Sequence, residues 1–358
     1  MKKEIVFILS SLNDPHFIKR VEEFIDNGYQ VKVFGFKRTG LSLPKTKYSP
    51  IVLGEIKNLK YSSRIFLFNS SIKSIANECN DKLCFYSSLD IAIFARLHIK
   101  SPYIYEVCDL TELTIRNLLI RRLLTNINVK IIRDSQKTII TSEGFFHYFK
   151  SLPPNKFCLI PNKVSPYIPK YENIRRTFQS DKIKIGFVGI IRFETIYNFV
   201  KVCAEFCNNV EMHLFGIYCD GDDWASKIRE LEMLHANIYY HGRFSNPIDL
   251  PSIYNKIDLL LCTYPPTSFV KYAEPNKLYE AIYFRCPIIV SENVFLGDKV
   301  SKLNIGYVID AMKENNIREF ISTLNSPDYQ KKIEACLSIP QEDCLSNDIE
   351  LFKQIEAL

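Results

Sequence analysis

The 358-residue chain has no run of about 18 apolar residues, which excludes a membrane-spanning helix. No secretory leader is expected. The apolar run IVFIL behind MKKE is too short for one and reads as a first strand, so a cytoplasmic protein is expected. Eleven cysteines are present but scattered singly through apolar segments. Only Cys203 and Cys207 share helical i, i+4 spacing, with no second pair or nearby histidine to complete a zinc site. Neither a metal centre nor a disulfide framework is expected. Serine-nucleophile motifs, a zinc-protease helix, a Walker loop and short-period repeats are all missing. No stripe of interleaved aromatic and basic residues marks a nucleic-acid reader. The net charge of +6 is modest and suits anionic substrates or anionic lipid.

What is present is globular. Hydrophobic residues make up 47% and charged residues 24% of a chain long enough for two domains of roughly 150 residues. Strand and helix patterns alternate almost throughout, the signature of α/β architecture. EIVFILS is followed by the helical stretch PHFIKRVEEFIDNGY, with a stop signal at Gly28, and then by QVKVFGF. Further strands are predicted at 84–88, 103–109, 137–143 and 156–162. A polar, proline-bearing stretch at 165–182 reads as a linker, dividing residues 1–168 from 169–341. The pattern restarts with KIKIGFVGI. Two Rossmann-like halves, with a cleft between them as the default site, are the most economical reading.

The densest signal is EPNKLYEAIYFRCPIIVS at 274–291. It is flanked by DLLLCTY and contains PIIV, both of which read as buried parallel strands. Pro275 suits the first helical position. Helical geometry puts Asn276, Lys277 and Glu280 on one face, predicted to face solvent, with Leu278, Ala281, Ile282 and Arg285 roughly opposite. A surface ion pair of little energetic weight is the plain alternative for Lys277 and Glu280. Upstream, GFVGIIRFET offers Gly186 and Gly189 for close approach of a phosphate to a helix start, with Arg192 to fork onto its oxygens. YHGR adds His241, Gly242 and Arg243. A doubly wound sheet brings Arg192, Gly242, Lys277 and Glu280 to one edge, where cations suit a diphosphate and a carboxylate suits a ribose diol. The site described is one for a nucleoside diphosphate.

GFVGIIR, YHGRF…LPSIYNKIDLLLCTY and EPNKLYEAIYFRCPIIVS resemble three successive landmarks of the family 4 glycosyltransferases. SSLNDPHFIKRVEEFIDNGYQVKVFGF, YEVCDL and IITSEGF resemble that family's first-domain landmarks. The resemblance covers essentially the whole chain. It implies the GT-B fold, two Rossmann-like domains facing each other across a cleft, with a C-terminal helix at about 342–358 packing back on the first domain. It also implies retaining transfer of a sugar from a nucleotide diphosphate, UDP favoured, to a glycan or polyprenyl-diphosphate-linked acceptor in surface-polysaccharide assembly. The nucleotide sugar is then a substrate, and no cofactor or metal is needed. By resemblance, Glu280 holds the ribose and Arg192 with Lys277 neutralises the diphosphate. Asn276 and Glu274, with Leu278 beside them, lie near the diphosphate or donor sugar, and Gly189 and His241 to Arg243 border the nucleotide. Asp14, His16 and Asp109 fall where the family places acceptor and sugar contacts.

The sequence departs from the family pattern in places. Tyr272 stands at the first position of an acidic pair that usually ends at the residue matched by Glu280, and Glu274 is the nearest acid. Cys108 replaces a common histidine, and Arg285 stands where a glycine commonly ends the helix. A nucleotide-sugar epimerase on the same fold and a non-catalytic binding module are the alternatives. DGDD at 220–223 reads as a helix cap rather than a metal site. The basic amphipathic run 114–134 suits the anionic inner face of the plasma membrane. Its alternative is a helix pair that buries its leucines and leaves its arginines in water.

Overall fold

The computed structural model describes residues 3–56, 61–169, 171, 182–267 and 269–357, without the side chains of 61–63. Most of the linker stretch, 170 and 172–181, lies outside the described residues. The chain divides into two compact units, Met1–Ile160 with Asn347–Leu358, and Pro161–Ser346.

Unit 1 is built on seven strands: β1 Glu4–Leu9, β2 Gln30–Arg38, β3 Ile51–Ile56, β4 Leu83–Tyr86, β5 Tyr103–Val107, β6 Lys137–Ile140 and β7 Phe157–Leu159. They pair in parallel in the order β3-β2-β1-β4-β5-β6-β7. β3 was not expected from the sequence. It is an edge strand whose Ile51 and Val52 are exposed and whose centre carries Gly54, so the apolar run of a buried strand is missing. The helix Pro15–Asp26 ends where the sequence predicts, with Asn27 as cap and Gly28 at φ 84°. It buries Phe17, Val21 and Phe24. The C-terminal helix Ile349–Glu356 belongs to this unit and buries Leu351, Phe352 and Ile355. Phe352 meets Phe24 edge-on, with ring centroids 5.0 Å apart.

Unit 2 carries β8 Ile183–Ile191, β9 Val210–Tyr218, β10 Ile238–Gly242, β11 Leu259–Cys262, β12 Ile288–Ser291 and β13 Gly306–Ile309. The parallel order is β10-β9-β8-β11-β12-β13. Chain direction reverses between β8 and β11, and in unit 1 between β1 and β4. In open α/β sheets such a switch point opens a crevice at the carboxyl ends of the strands. Both faces of the unit 2 sheet are covered by apolar clusters, one around Tyr254, Leu278 and Phe284 and the other around Phe199, Met212 and Ile317. The helix Glu194–Glu205 stops before Cys207, so Cys203 is buried and Cys207 exposed, and the two do not share a helix.

Candidate functional site

The unit 2 switch point is stitched by short contacts. Thr195 Oγ1 donates to the carbonyl of Thr263 at 3.1 Å, joining the segments that follow β8 and β11. The amide of Tyr264 donates to Ser291 Oγ at 3.0 Å, joining the ends of β11 and β12. Arg192 follows β8 directly. Its guanidinium lies over the rings of Phe193, at 4.7 Å, and Phe269, at 5.8 Å. Among the described residues Arg192 has no carboxylate partner, so a cation stands uncompensated beside the start of the helix Glu194–Glu205.

The two glycines of GFVGIIR differ in their surroundings. Gly186 lies inside β8, where a Cβ would come within 2.5 Å of Ile257, so its bareness admits a core side chain rather than a phosphate. Gly189 pairs with Gly216 across β8 and β9, and a Cβ on Gly216 would strike the Gly189 carbonyl at 1.7 Å. Gly189 itself has room for a Cβ, the nearest group being the Phe187 ring at 3.7 Å, and the loop between β8 and its helix is only Arg192 and Phe193.

Glu280 overturns the solvent-facing expectation: it is 1% exposed. One carboxylate oxygen accepts from Tyr254 Oη and Lys277 Nζ, both at 2.7 Å, and the other from Asn276 Nδ2 at 2.7 Å. Helical spacing placed Asn276, Lys277 and Glu280 on one face correctly. What it could not show is that the helix Leu250–Tyr254 covers that face, with Tyr254 stacked on Phe284 at 4.3 Å. The helix Asn276–Tyr283 is therefore buried on both sides, and its Lys277–Glu280 pair is an interior one. Pro275 is the cap residue rather than the first helical one. Leu278 is core, and its amide is taken by the Pro275 carbonyl. Burial, and then the Glu280 charge, push the Tyr254 hydroxyl well above its ordinary pKa, so it stays a donor.

Glu274 is likewise closed in, expected beside the donor sugar but 2% exposed. It accepts from Lys299 Nζ at 2.7 Å and from the Tyr279 hydroxyl. The helix Phe295–Leu303, which follows β12, carries Lys299 to it. Arg285 sits in the left-handed region at φ 54°, the conformation a glycine would take there. Its side chain offsets that backbone by donating to the carbonyls of Ile282, Cys336 and Ile339.

At the far edge strand, Gly242 ends β10 at φ 75° with His241 and Arg243 exposed on either side. His241 Nε2 and His213 Nδ1 lie 3.0 Å apart, and His213 Nε2 reaches Glu211 at 3.3 Å. Burial lowers both histidine pKa values below the ordinary one, for His213 against the pull of Glu211. The expected DGDD cap is observed: Asp222 accepts from the amide of Ala225 at 2.9 Å.

In unit 1, Asp14 caps the helix Pro15–Asp26 and accepts from the His16 amide at 3.0 Å. His16 Nε2 lies 2.9 Å from Glu106 on β5, and Arg20 donates to both Glu106 oxygens at 3.3 and 3.0 Å. Burial alone would raise the Glu106 carboxyl, but the charges and hydrogen bonds of Arg20 and His16 hold it at about 2. The sequence reading missed Glu106. Its signal was an acid within the apolar strand YIYEV, with a histidine and an arginine at i, i+4 on the helix after β1. Cys108 lies close to His16 and Glu106, but the Arg20 guanidinium already fills the role a cation would play there. Burial, and next the charge of Glu106, push the Cys108 thiol up, so it is neutral. Asp109 is exposed just past β5. No described helix is long and apolar enough to cross a membrane.

No protein-family model and no curated protein matches the sequence. Solved structures do match the fold. Sucrose-phosphate synthase from Thermosynechococcus elongatus is 15% identical with a TM-score of 0.72, covering 99% of this chain and 100% of its own. HepE from Anabaena, in complex with UDP and glucose, is 12% identical with a TM-score of 0.70, covering 98% of each chain. WaaG, a glycosyltransferase involved in lipopolysaccharide biosynthesis, is 15% identical with a TM-score of 0.67, again covering 98% of each. At such identities a likeness speaks for the fold, and two doubly wound parallel sheets matched over nearly their whole length give this chain the GT-B fold.

Proposed function

We propose that the chain is a glycosyltransferase that takes a nucleoside-diphosphate sugar, a UDP-sugar by preference, and passes the sugar to a glycan or polyprenyl-diphosphate-linked acceptor with retention, in surface-polysaccharide assembly in the cytoplasm. The observation that carries this reading is Arg192: an uncompensated cation at a helix start and a topological switch point. Departure of the nucleoside diphosphate develops negative charge on its oxygens. A fixed guanidinium with helix N–H groups meets that charge without a metal ion. HepE, of the same fold, binds UDP and glucose, which supports the choice of carrier.

The geometry changes the part assigned to Glu280. With three internal donors it holds Lys277, Asn276 and Tyr254 in place. It reaches ribose hydroxyls only by exchanging a neutral donor, Asn276 or Tyr254, for them. On this reading Lys277 reaches the diphosphate only as a member of that network. Asp14 and His16 are assigned to the acceptor side, and Asp109 to the catalytic set with Arg192 and Lys277.

A second reading, a binding module without turnover, is favoured by one observation: both acids near the donor helix, Glu274 and Glu280, are sequestered by internal cations. Thermal unfolding with UDP, GDP, dTDP, ADP and CMP, with and without chelator, tests the proposal. Stabilisation by one nucleoside diphosphate that survives chelation supports it. No shift with any of them would overturn the donor site at Arg192. Stabilisation without sugar transfer, across a panel of donors and lipid-linked acceptors, selects the module.

A further inference from the structure

Phe193 holds the cap position of the helix Glu194–Glu205 at φ 79° and ψ 141°. Among the described non-glycine residues with positive φ it has the largest value, the other four lying from 54° to 60°. Asn304, one of those four, is ordinary left-handed backbone at ψ 25°. The extended ψ of Phe193 belongs instead to a region that glycine alone enters freely. A bulky aromatic is an unfavourable choice there on backbone grounds. It is also a poor cap. Asp14, Asn117, Asp222 and Asn325 each start their helices with a side-chain oxygen on a first-turn amide, and Phe193 has none to give.

The ring supplies contact instead. The Arg192 guanidinium lies 4.7 Å from its centroid, with Phe269 at 5.8 Å. The same ring meets Tyr264 edge-on at 5.9 Å. Since the Tyr264 amide is held by Ser291 Oγ, Phe193 ties Arg192 to the ends of β11 and β12 as well as to its own strand. Arg192 is half-buried, and its N–H groups have no hydrogen-bond acceptor among the described residues. An arginine that turns freely loses rotamer freedom when it grips a ligand. An aromatic face attracts the cation without accepting its N–H bonds, so the side chain is oriented while its donors stay open to phosphate oxygens.

We infer that Phe193 is a positioning residue, whose ring, carried on a backbone conformation suited to glycine, aims the Arg192 guanidinium at the diphosphate. This rests on the reading of Arg192 as the diphosphate cation and adds what sets that cation's direction.

The test is a double-mutant cycle on the full chain, read by calorimetric titration with UDP or with the diphosphate that the thermal scan selects. Its members are wild type, F193L, R192A and F193L/R192A. Leucine fills the space without an aromatic face. F193L should therefore weaken the nucleotide about fivefold, and should cost nothing further once Arg192 is gone. F193Y should recover the affinity that F193L loses. Far-UV circular dichroism checks the fold, and F193M replaces F193L in the cycle if the leucine variant unfolds. F193A and F193G should both bind as weakly as F193L, yet F193G should have the higher unfolding midpoint of the two. That reverses the usual order, because only glycine relaxes this cap. An alanine variant as stable as the glycine one would overturn the inference at its backbone. Equal weakening by F193L with and without Arg192 would overturn the positioning role. Should R192A weaken the nucleotide while F193L does not, the inference falls and the donor reading stands. Should R192A leave affinity unchanged, the donor reading falls and takes the inference with it.

Discussion

Each unit holds a buried carboxylate against a buried cation, Glu106 against Arg20 and Glu280 against Lys277, and the two solutions differ. In unit 1, Glu106 lies in the middle of a strand and is gripped by both arms of Arg20 and by His16. In unit 2, Glu280 lies on a helix and meets a lysine three residues before it, an amide and a phenol. Arg20 is buried along its length and has further anions in Glu23 and Asp348. Lys277 has a flexible stem and, among the described ion pairs, Glu280 alone. The rigid fork fixes a carboxylate permanently, whereas the lysine pair can be rearranged. On the proposed function, the second cluster is the one whose contacts a ligand exchanges, and in the first the Arg20–Glu106 pair is structural.

Four measurements would break or sharpen this contrast. Glu106→Ala should have the largest effect, about 4 kcal/mol of lost stability, because Arg20 cannot reach water. Urea unfolding followed by tryptophan-independent circular dichroism reads it. Next comes acid. Glu106 is held at about 2 against an ordinary 4.5, so its contribution of about 3 kcal/mol is present above pH 4.5 and lost as pH falls toward 2. Unfolding midpoints across that window should fall in wild type, with a flatter limb in Glu106→Gln. Glu280→Ala should cost less, about 2–3 kcal/mol, since Lys277 can extend toward solvent. A loss equal to that of Glu106→Ala would erase the distinction. Arg192→Ala should change stability least, by about 0.5 kcal/mol or less, while weakening the nucleoside diphosphate by about 1.5–3 kcal/mol, the range for a charged hydrogen bond. Calorimetric titration with UDP measures the second quantity. An unchanged affinity would remove Arg192 from the site.

The histidine pair on β9 and β10 gives a smaller pH signal with its own window. Burial lowers both values, so the folded state resists protonation and stability declines as pH falls below the ordinary histidine value of 6.5. His213→Gln should remove part of that slope.

Much of the architecture was legible because parallel strands buried on both faces write continuous apolar runs, and because Gly28 marks a helix end as its left-handed backbone requires. β3 was not legible, since an edge strand with exposed isoleucine and valine writes no such run. The ion pair of Lys277 and Glu280 was legible as a pair but not as a buried one. Periodicity reports which residues share a face, not what another part of the chain lays over it. Glu106 lies on β5, whereas His16 and Arg20 share the helix Pro15–Asp26. Only the burial of an acid in YIYEV hinted at partners, and their identity depended on the strand order bringing β5 within reach of the helix after β1. Arg285 was flagged as an oddity at a glycine position. Besides its own helix's Ile282 carbonyl, it is held by those of Cys336 and Ile339, from a distant turn no local pattern announces.

The last helix of the chain completes the core of the first unit. Leu351, Phe352 and Ile355 cover Phe24 and Tyr29, and Asp348 reaches Arg20. Synthesis on the ribosome runs in the other direction. The first 160 residues emerge with an apolar patch and a buried arginine cluster still missing their cover, and the whole second unit must be made before the patch can close.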